Sequence, residues 1–250
     1  MITLSLIGIG SGNPDHVTRQ AEAAMNTAEV ILIPRKGAAK DDLAELRRAI
    51  CARVLRAPGP VVREFDLPVR DASGGYRAGV EAWHDAIAEV WAAELADALP
   101  EGGHAAFLVW GDPALYDSTL RIAERLRGRM PIEVRVIPGI TAIAALTAGH
   151  AIPLNAVGGP VAITTGRRLR EDGWPAGHDS VVVMLDAGQA FEAVDPEGVF
   201  IWWSAYAGMD DEIRIAGPLA EVAGQIAAAR AEARARHGWI MDIYLLRRAC

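Results

Sequence analysis

Three turns along the chain combine glycine with acidic, hydroxyl or aromatic side chains, and each follows an apolar run. The first is Gly8-Ile9-Gly10-Ser11-Gly12-Asn13-Pro14-Asp15. The second is Trp110-Gly111-Asp112-Pro113-Ala114-Leu115-Tyr116-Asp117, and the third is Pro138-Gly139-Ile140-Thr141-Ala142. Glycine lets a backbone turn tightly and lets a ligand approach its amides, so such turns suit a polar or anionic small molecule. Asp15, Asp112 and Asp117 add carboxylates for proton transfer, Tyr116 adds a phenol, and Thr141 adds a hydroxyl. Asp15 reads as the N-cap of a following helix. Pro113 fits the first turn of another helix, with Asp112 as its cap and Tyr116 and Asp117 near its positive end.

Turns at the carboxyl ends of parallel strands are where open α/β sheets bind ligands, so the surrounding pattern decides whether these three can cooperate. Residues 4–7 read as a buried strand, and Ala21, Ala24, Met25 and Ala28 mark one face of a helix after the first turn. Residues 30–33 predict a second strand, stopped by Pro34, and 40–55 predict its helix through Leu43, Leu46 and Ile50. A weaker strand at 63–67 precedes a long amphipathic helix over 76–99, carried by Val80, Trp83, Ile87, Val90, Trp91 and Leu95 and ended by Pro100. Residues 105–110 are apolar throughout, as a strand covered on both faces should be; a helix over 114–127 and a strand over 133–137 follow. Five such βα units predict a parallel sheet. Beyond Gly139 the strand-like runs lie closer together, at 161–165, 181–185, 199–203, 212–215 and 239–246. Helices are expected near 142–148 and 187–194, with an alanine-rich one over 219–236. Two domains are expected, residues 1–138 and 139–250.

Composition narrows the chemistry. The 250 residues are 51% hydrophobic, enough for a packed core in one or two domains. No apolar stretch approaches the ~18 residues that span a bilayer, and residues 1–6 lack a basic segment ahead of their apolar run, so a cytoplasmic protein without a membrane partner is expected. A net charge of −7 argues against a nucleic-acid partner, because phosphate binding needs a basic surface. Cys51 and Cys250 stand apart from each other and from any histidine at ligand spacing, which predicts two free thiols and no metal site. Lys36 and Lys40 are the only lysines among 25 basic residues, and arginine is the side chain that grips carboxylates with a planar fork.

The glycine turn alone also suits a nicotinamide dinucleotide. Such an enzyme places an acidic residue at the end of the second strand to hold the ribose hydroxyls, whereas this chain has Pro34-Arg35-Lys36 there. An NADP enzyme could use Arg35, which keeps that alternative open, as is a sheet protein whose turns bind only a regulatory ligand. Taken together, however, the three turns resemble those of the tetrapyrrole methylases, and the resemblance extends over the whole chain. It is carried further by the segment from Asp71 to Trp83 and His84, by residues 108–119, by Ile152-Pro153-Leu154-Asn155, by Ile163-Thr164-Thr165-Gly166-Arg167-Arg168, and by residues 238–248. One departure lies in the first turn, where that family usually has Gly-Asp-Pro and this chain has Gly12-Asn13-Pro14.

The resemblance implies the tetrapyrrole methylase fold: two dissimilar α/β domains, a parallel five-stranded sheet in the first and a mixed sheet in the second. It implies S-adenosyl-L-methionine as cofactor, S-adenosyl-L-homocysteine as its product, a cofactor cleft between the domains, and a homodimer. By motif the cofactor contacts are Pro14, Trp110, Gly111, Asp112, Leu115, Thr141 and Ala142, with Met184 and a residue of the 205–208 stretch, taken as Ala205, from the second domain. The implied reaction is methylation of C1 of precorrin-5 with hydrolytic release of its C20 acetyl group as acetate; methylation of a different precorrin is the nearest alternative. Methyl transfer needs alignment more than a base, but acetyl hydrolysis needs a polar group to stabilise an oxyanion. Asp15, Asp112, Tyr116 and Asp117 are the catalytic candidates, and His84, His150 and Asp242 are more remote ones. For His84 a satisfied structural role is expected. Arg19, Arg35, Lys36, Arg167, Arg168 and Arg170 are candidate clamps for the substrate's carboxylates, with Arg167 and Arg168 expected on a loop after a strand.

Overall fold

The computed structural model describes residues 1–35, 42–70 and 76–248. The chain divides into two compact units, Met1–Thr141 and Ala142–Cys250, where the sequence reading set the division at 138/139. Lys36, Lys40, Asp71 and Cys250, each singled out above, lie outside the described residues.

The first unit is built from strands β1 (Ile2–Gly8), β2 (Val30–Arg35), β3 (Val61–Asp66), β4 (Gly103–Val109) and β5 (Ile132–Ile137). They form one sheet in the order β3-β2-β4-β1-β5, and every pairing is parallel. Side chains alternate across it. Leu4, Leu6, Leu32 and Phe107 point to one face, where α3 (Tyr76–Ala98) and α4 (Thr119–Arg127) supply Ile87, Trp91, Leu95 and Ile122. Trp91 stacks on Phe107 with ring centroids 4.0 Å apart. Ile7, Ile31, Ile33 and Leu108 point to the other face, against Ala21 and Met25 of α1 (Arg19–Thr27) and Ala44, Ile50 and Cys51 of α2 (Asp42–Val54). With β1 and β4 thus buried on both sides, the continuous apolar run of β4 from Ala105 to Val109 is explained.

Four local expectations are corrected in this unit. Pro34 does not stop β2, which runs through it to Arg35 in pairing with β3; the missing proline N–H faces β4, where the pairing ends at Leu32 and Phe107. Asp15 is not a helix N-cap: it sits in a single 3-10 turn, Pro14–His16, and the cap of α1 is Thr18, whose hydroxyl accepts from the Ala21 amide at 3.0 Å. The helix expected from residue 114 begins only at Thr119, so Pro113, Tyr116 and Asp117 belong to the loop before it. Asp112 caps that loop rather than a helix, accepting from the Ala114 amide at 2.8 Å.

The second unit has strands β6 (Val161–Thr165), β7 (Ser180–Met184), β8 (Val199–Ala205), β9 (Ile213–Pro218) and β10 (Asp242–Arg248) in the order β6-β7-β10-β8-β9. Only β6 and β7 are parallel; the other neighbours are antiparallel, so the sheet is mixed. Val183, Ile201, Trp203 and Tyr244 pack on Leu219, Ile226 and Ala233 of α7 (Leu219–His237). Gly238 ends α7 in the left-handed conformation that glycine adopts freely. α5 (Ala142–Gly149) is present as expected. The helix expected over 187–194 is only a 3-10 turn, Ala190–Ala193, because Gly188 and a left-handed Gln189 precede it. Conversely, the loop expected to carry Arg167 and Arg168 is α6 (Gly166–Asp172), capped by the Thr165 hydroxyl.

Candidate functional site

In the first unit the three turns meet at the carboxyl end of the sheet. The order places β1 beside β4, with β5 on the outer side of β1, so the chain leaves all three at neighbouring points. Backbone contacts join them directly. Ile9 donates to the Val109 carbonyl at 3.0 Å, and Gly10 and Gly111 exchange amide bonds of 3.4 and 2.8 Å. A Cβ on Gly8 would lie 2.6 Å from the Gly139 nitrogen and 2.8 Å from the Gly111 oxygen, so no side chain fits there. A Cβ on Gly139 would collide with the same Gly111 oxygen. Gly111 itself is different: it holds φ +65°, and a Cβ there would meet nothing within 4 Å. Gly111 is buried, and its open side is a cradle, the kind of space a ligand's own atoms can fill.

Asp112 completes the junction. One carboxylate oxygen accepts from the Ala114 amide at 2.8 Å and the other from the Gly139 amide at 2.9 Å, which ties the second turn to the third. Both oxygens are thereby engaged within the protein, as expected for a positioning group rather than a base. Asp117 is similarly committed, accepting from the Thr119 amide at 2.6 Å ahead of α4. Asn13 accepts from the Asp15 amide at 2.8 Å, so the carboxamide supplies the turn-closing bond without a charge. Asp15 is exposed, Pro14 and Leu115 are half-buried, and Trp110 flanks Gly111. Tyr116 is 42% exposed at φ +49°, and burial of its ring raises the phenol pKa, which keeps the proton on oxygen. Thr141 ends the first unit.

In the second unit Ala142 opens α5, and Met184 is the last residue of β7, half-buried. Ala205 ends β8 opposite Asp242 and is fully buried. The arginine candidates are mostly engaged. Arg35, the residue an NADP reading would need, pairs with Asp66 at 3.0 Å and Glu64 at 3.8 Å. Arg167 and Arg168 reach Glu171 and Asp172 one turn along α6, at 3.9 and 3.1 Å, in exposed pairs worth little. Arg170 binds Asp186 at 2.9 Å, and Arg19 is exposed at the start of α1. His84 departs from expectation: it is buried, yet neither ring nitrogen has a hydrogen-bond partner among the described residues, and burial lowers its pKa. His150 bonds the Trp203 carbonyl at 3.2 Å and Ser204 at 3.1 Å. Asp242 is held by Arg230 and Trp203, each at 3.0 Å, with burial raising its pKa.

Residues 3–223 match the family model described as Tetrapyrrole (Corrin/Porphyrin) Methylases. The chain belongs to that family. Along its length it is 53% identical to a precorrin-6A synthase [deacetylating] of Sinorhizobium sp, covering 99% of this chain and 96% of that one. A solved structure of a cobalamin-synthesis-related protein from Corynebacterium diphtheriae superposes with a TM-score of 0.85 at 39% identity, covering 99% of both chains. A uroporphyrin-III C-methyltransferase of Thermus thermophilus, solved with S-adenosylhomocysteine, shares the fold at 19% identity, with a TM-score of 0.60 over 98% of this chain and 92% of that one. This tetrapyrrole methylase is accordingly a methyltransferase.

Two residues of the methylase went unread in the sequence. His16 closes the 3-10 turn of the first loop; its Cβ would lie 2.6 Å from a Cβ on Gly10, and its Nδ1 is buried without a partner among the described residues. Arg47, on α2, donates from Nε to the Leu108 carbonyl at 2.9 Å and from Nη1 to Leu43 at 3.1 Å. Because the Val109 carbonyl serves Ile9 on the β1 side, that of Leu108 points toward β2, where Pro34 has no N–H to offer. Arg47 supplies the missing donor. Burial lowers its pKa while the Asp117 carboxylate opposes that shift. Its sequence signal was a single arginine on the apolar face of α2, between Ala44 and Cys51.

Proposed function

We propose that this methylase is a precorrin-6A synthase, transferring a methyl group from S-adenosylmethionine to C1 of precorrin-5 and releasing the C20 acetyl group as acetate. The observation that carries the reading is the junction of three turns around the open side of Gly111, in a chain that keeps 53% identity to its relative along nearly its whole length. Bound, S-adenosylmethionine supplies an activated methyl group. Pro14, Trp110, Gly111, Leu115, Thr141 and Ala142 are the proposed contacts, with Met184 and Ala205. Asp112 acts by holding the second and third turns in register. Alignment of donor and acceptor carbons in this way contributes on the order of several kcal/mol to methyl transfer.

Acetate release requires water to add to the acetyl ketone. The new C–O bond forms, an oxyanion develops, and the bond to C20 breaks with its electron pair passing to the ring carbon. Of the four catalytic candidates, Asp112 and Asp117 accept hydrogen bonds from backbone amides, and Tyr116 carries an O–H donor on a side chain that is partly exposed. Because an oxyanion needs a hydrogen-bond donor and a carboxylate can only accept, Tyr116 is assigned as the donor to the oxyanion and the exposed Asp15 as the carboxylate that accepts a proton from water. No helix among the described residues is long and apolar enough to cross a membrane. A homodimer is proposed on the resemblance, and light scattering checks it.

The test is incubation of purified protein with precorrin-5 and methyl-labelled cofactor, following both label in the ring and free acetate. Both are expected in equal amounts. Methyl incorporation without acetate points to another precorrin as substrate. Calorimetric binding of NADPH but not of S-adenosylhomocysteine would falsify the methyltransferase reading. Tyr116→Phe is expected to lower acetate release at least tenfold while cofactor affinity stays unchanged.

A further inference from the structure

The turn that follows β7 holds a large apolar side chain in an unfavourable backbone conformation and leaves it in solvent. Leu185 sits at φ +51° and is 65% exposed. A leucine at positive φ costs energy that a glycine would avoid, so the turn persists only because its surroundings enforce it. The enforcing group is Asp186, whose side chain is 2% exposed. One of its carboxylate oxygens accepts from Arg170 at 2.9 Å and from the Gly188 amide at 3.1 Å; the other accepts from the Ala190 amide at 2.5 Å and the Tyr244 hydroxyl at 2.7 Å. The Asp186 carbonyl takes a further bond from Arg230 at 2.8 Å. Gly166, at the start of α6, has no room for a Cβ because the Asp186 carboxylate fills that space.

The same packing sets what surrounds Leu185. β6 and β7 are parallel, with Thr165 opposite Met184, so α6 springs from the strand end beside the Leu185 turn. That helix carries Arg167, Arg168 and Arg170, and its weak internal pairs leave Arg167 and Arg168 more than half exposed. An exposed apolar side chain on a turn next to an arginine-bearing helix suits a flat hydrophobic ring that bears carboxylates at its edge. The cofactor, with one carboxylate, fits such a rim less well than a tetrapyrrole with several.

We propose that Leu185 is a specificity-determining residue of the methylase, held out by Asp186 to lie against the tetrapyrrole macrocycle, with the α6 arginines meeting its peripheral carboxylates. This rests on the substrate reading above. Two variants separate recognition from folding. Leu185→Gly removes the side chain and suits the left-handed backbone; Leu185→Asn keeps much of the size, tolerates the same φ and removes the apolar surface. Both are expected to keep the wild-type melting temperature or exceed it, to bind S-adenosylhomocysteine within twofold of wild type by calorimetry, and to raise KM for precorrin-5 about tenfold. KM within twofold of wild type in both variants overturns the proposal, as does a loss that falls equally on S-adenosylhomocysteine affinity, which would put Leu185 against the cofactor. Wild-type protein that binds S-adenosylhomocysteine but turns over no precorrin-5 overturns the substrate reading itself, and this assignment with it.

Discussion

The carboxyl ends of the strands are organised by different physics in the two units. In the first, Gly8, Gly111 and Gly139 bring three backbones into contact, and a single carboxylate, Asp112, fastens the result. In the second, the strand ends are held by buried charge: Asp186 gathers Arg170, Tyr244 and two amides, and Arg230 bridges Asp186 to Asp242. Shape in the first unit is thus set by the absence of side chains, and in the second by side chains that must not lose their partners. Glycine contacts are close and unforgiving of added volume, whereas buried ionic groups tolerate little loss of charge.

The contrast can be broken at several points. Arg230→Met leaves Asp242 buried with only the Trp203 donor; a loss of about 3–5 kcal/mol in urea unfolding is expected, and a loss under about 1 kcal/mol would show that charge does not hold the second unit. Gly139→Ala forces the third turn off the second, so a loss of about 2–3 kcal/mol and at least a hundredfold weaker binding of S-adenosylhomocysteine are expected. Gly111→Ala sharpens the point, because its methyl meets no protein atom: about 1–2 kcal/mol from the positive φ, with a tenfold loss of S-adenosylhomocysteine affinity. Unchanged affinity there removes the cradle from the site. Asp112→Ala should cost about 2 kcal/mol through two lost acceptor contacts and weaken the same ligand severalfold.

The smallest effect concerns pH. Burial lowers the pKa of His84 in the first unit and of His150 in the second below the ordinary histidine value near 6.5. The unfolded chain therefore takes up protons first as pH falls, so stability is full above about pH 6.5 and declines below it. Melting temperatures between pH 7.5 and 5 should fall, and His84→Leu should flatten the decline. No flattening would mean that the unpartnered His84 ring is not the group that acid disturbs.

Much of the fold was legible because its signals are local. The apolar run of β4 and the periodicity of α3 require only the chain segment that carries them. Helix starts were legible only in part: Asp15 and Asp112 have the right side chains for caps, but Thr18 sits closer to the first helical turn, and the Asp112 carboxylate was drawn to Gly139, 27 residues away. α6 was missed because Gly166 and three arginines read as a loop; its glycine is there for the Asp186 carboxylate, a contact between segments 20 residues apart. Arg47 likewise looked like an ordinary helical arginine until the strand register left the Leu108 carbonyl without a donor.

The sequence by itself determined the alternation of strands and helices, the parallel first sheet, and three glycine turns whose residue types already pointed to the tetrapyrrole methylases. Those depend on steric preferences and apolar patterning within short windows. Tertiary structure alone decided which turn residues stay available. Asp112 spends both oxygens and Asp117 one on backbone amides, Tyr116 and Leu185 are exposed at positive φ, and Gly111 faces open space while Gly8 and Gly139 do not. Hydrogen-bond saturation and excluded volume are properties of atoms brought together from distant parts of the chain, and no single segment carries them.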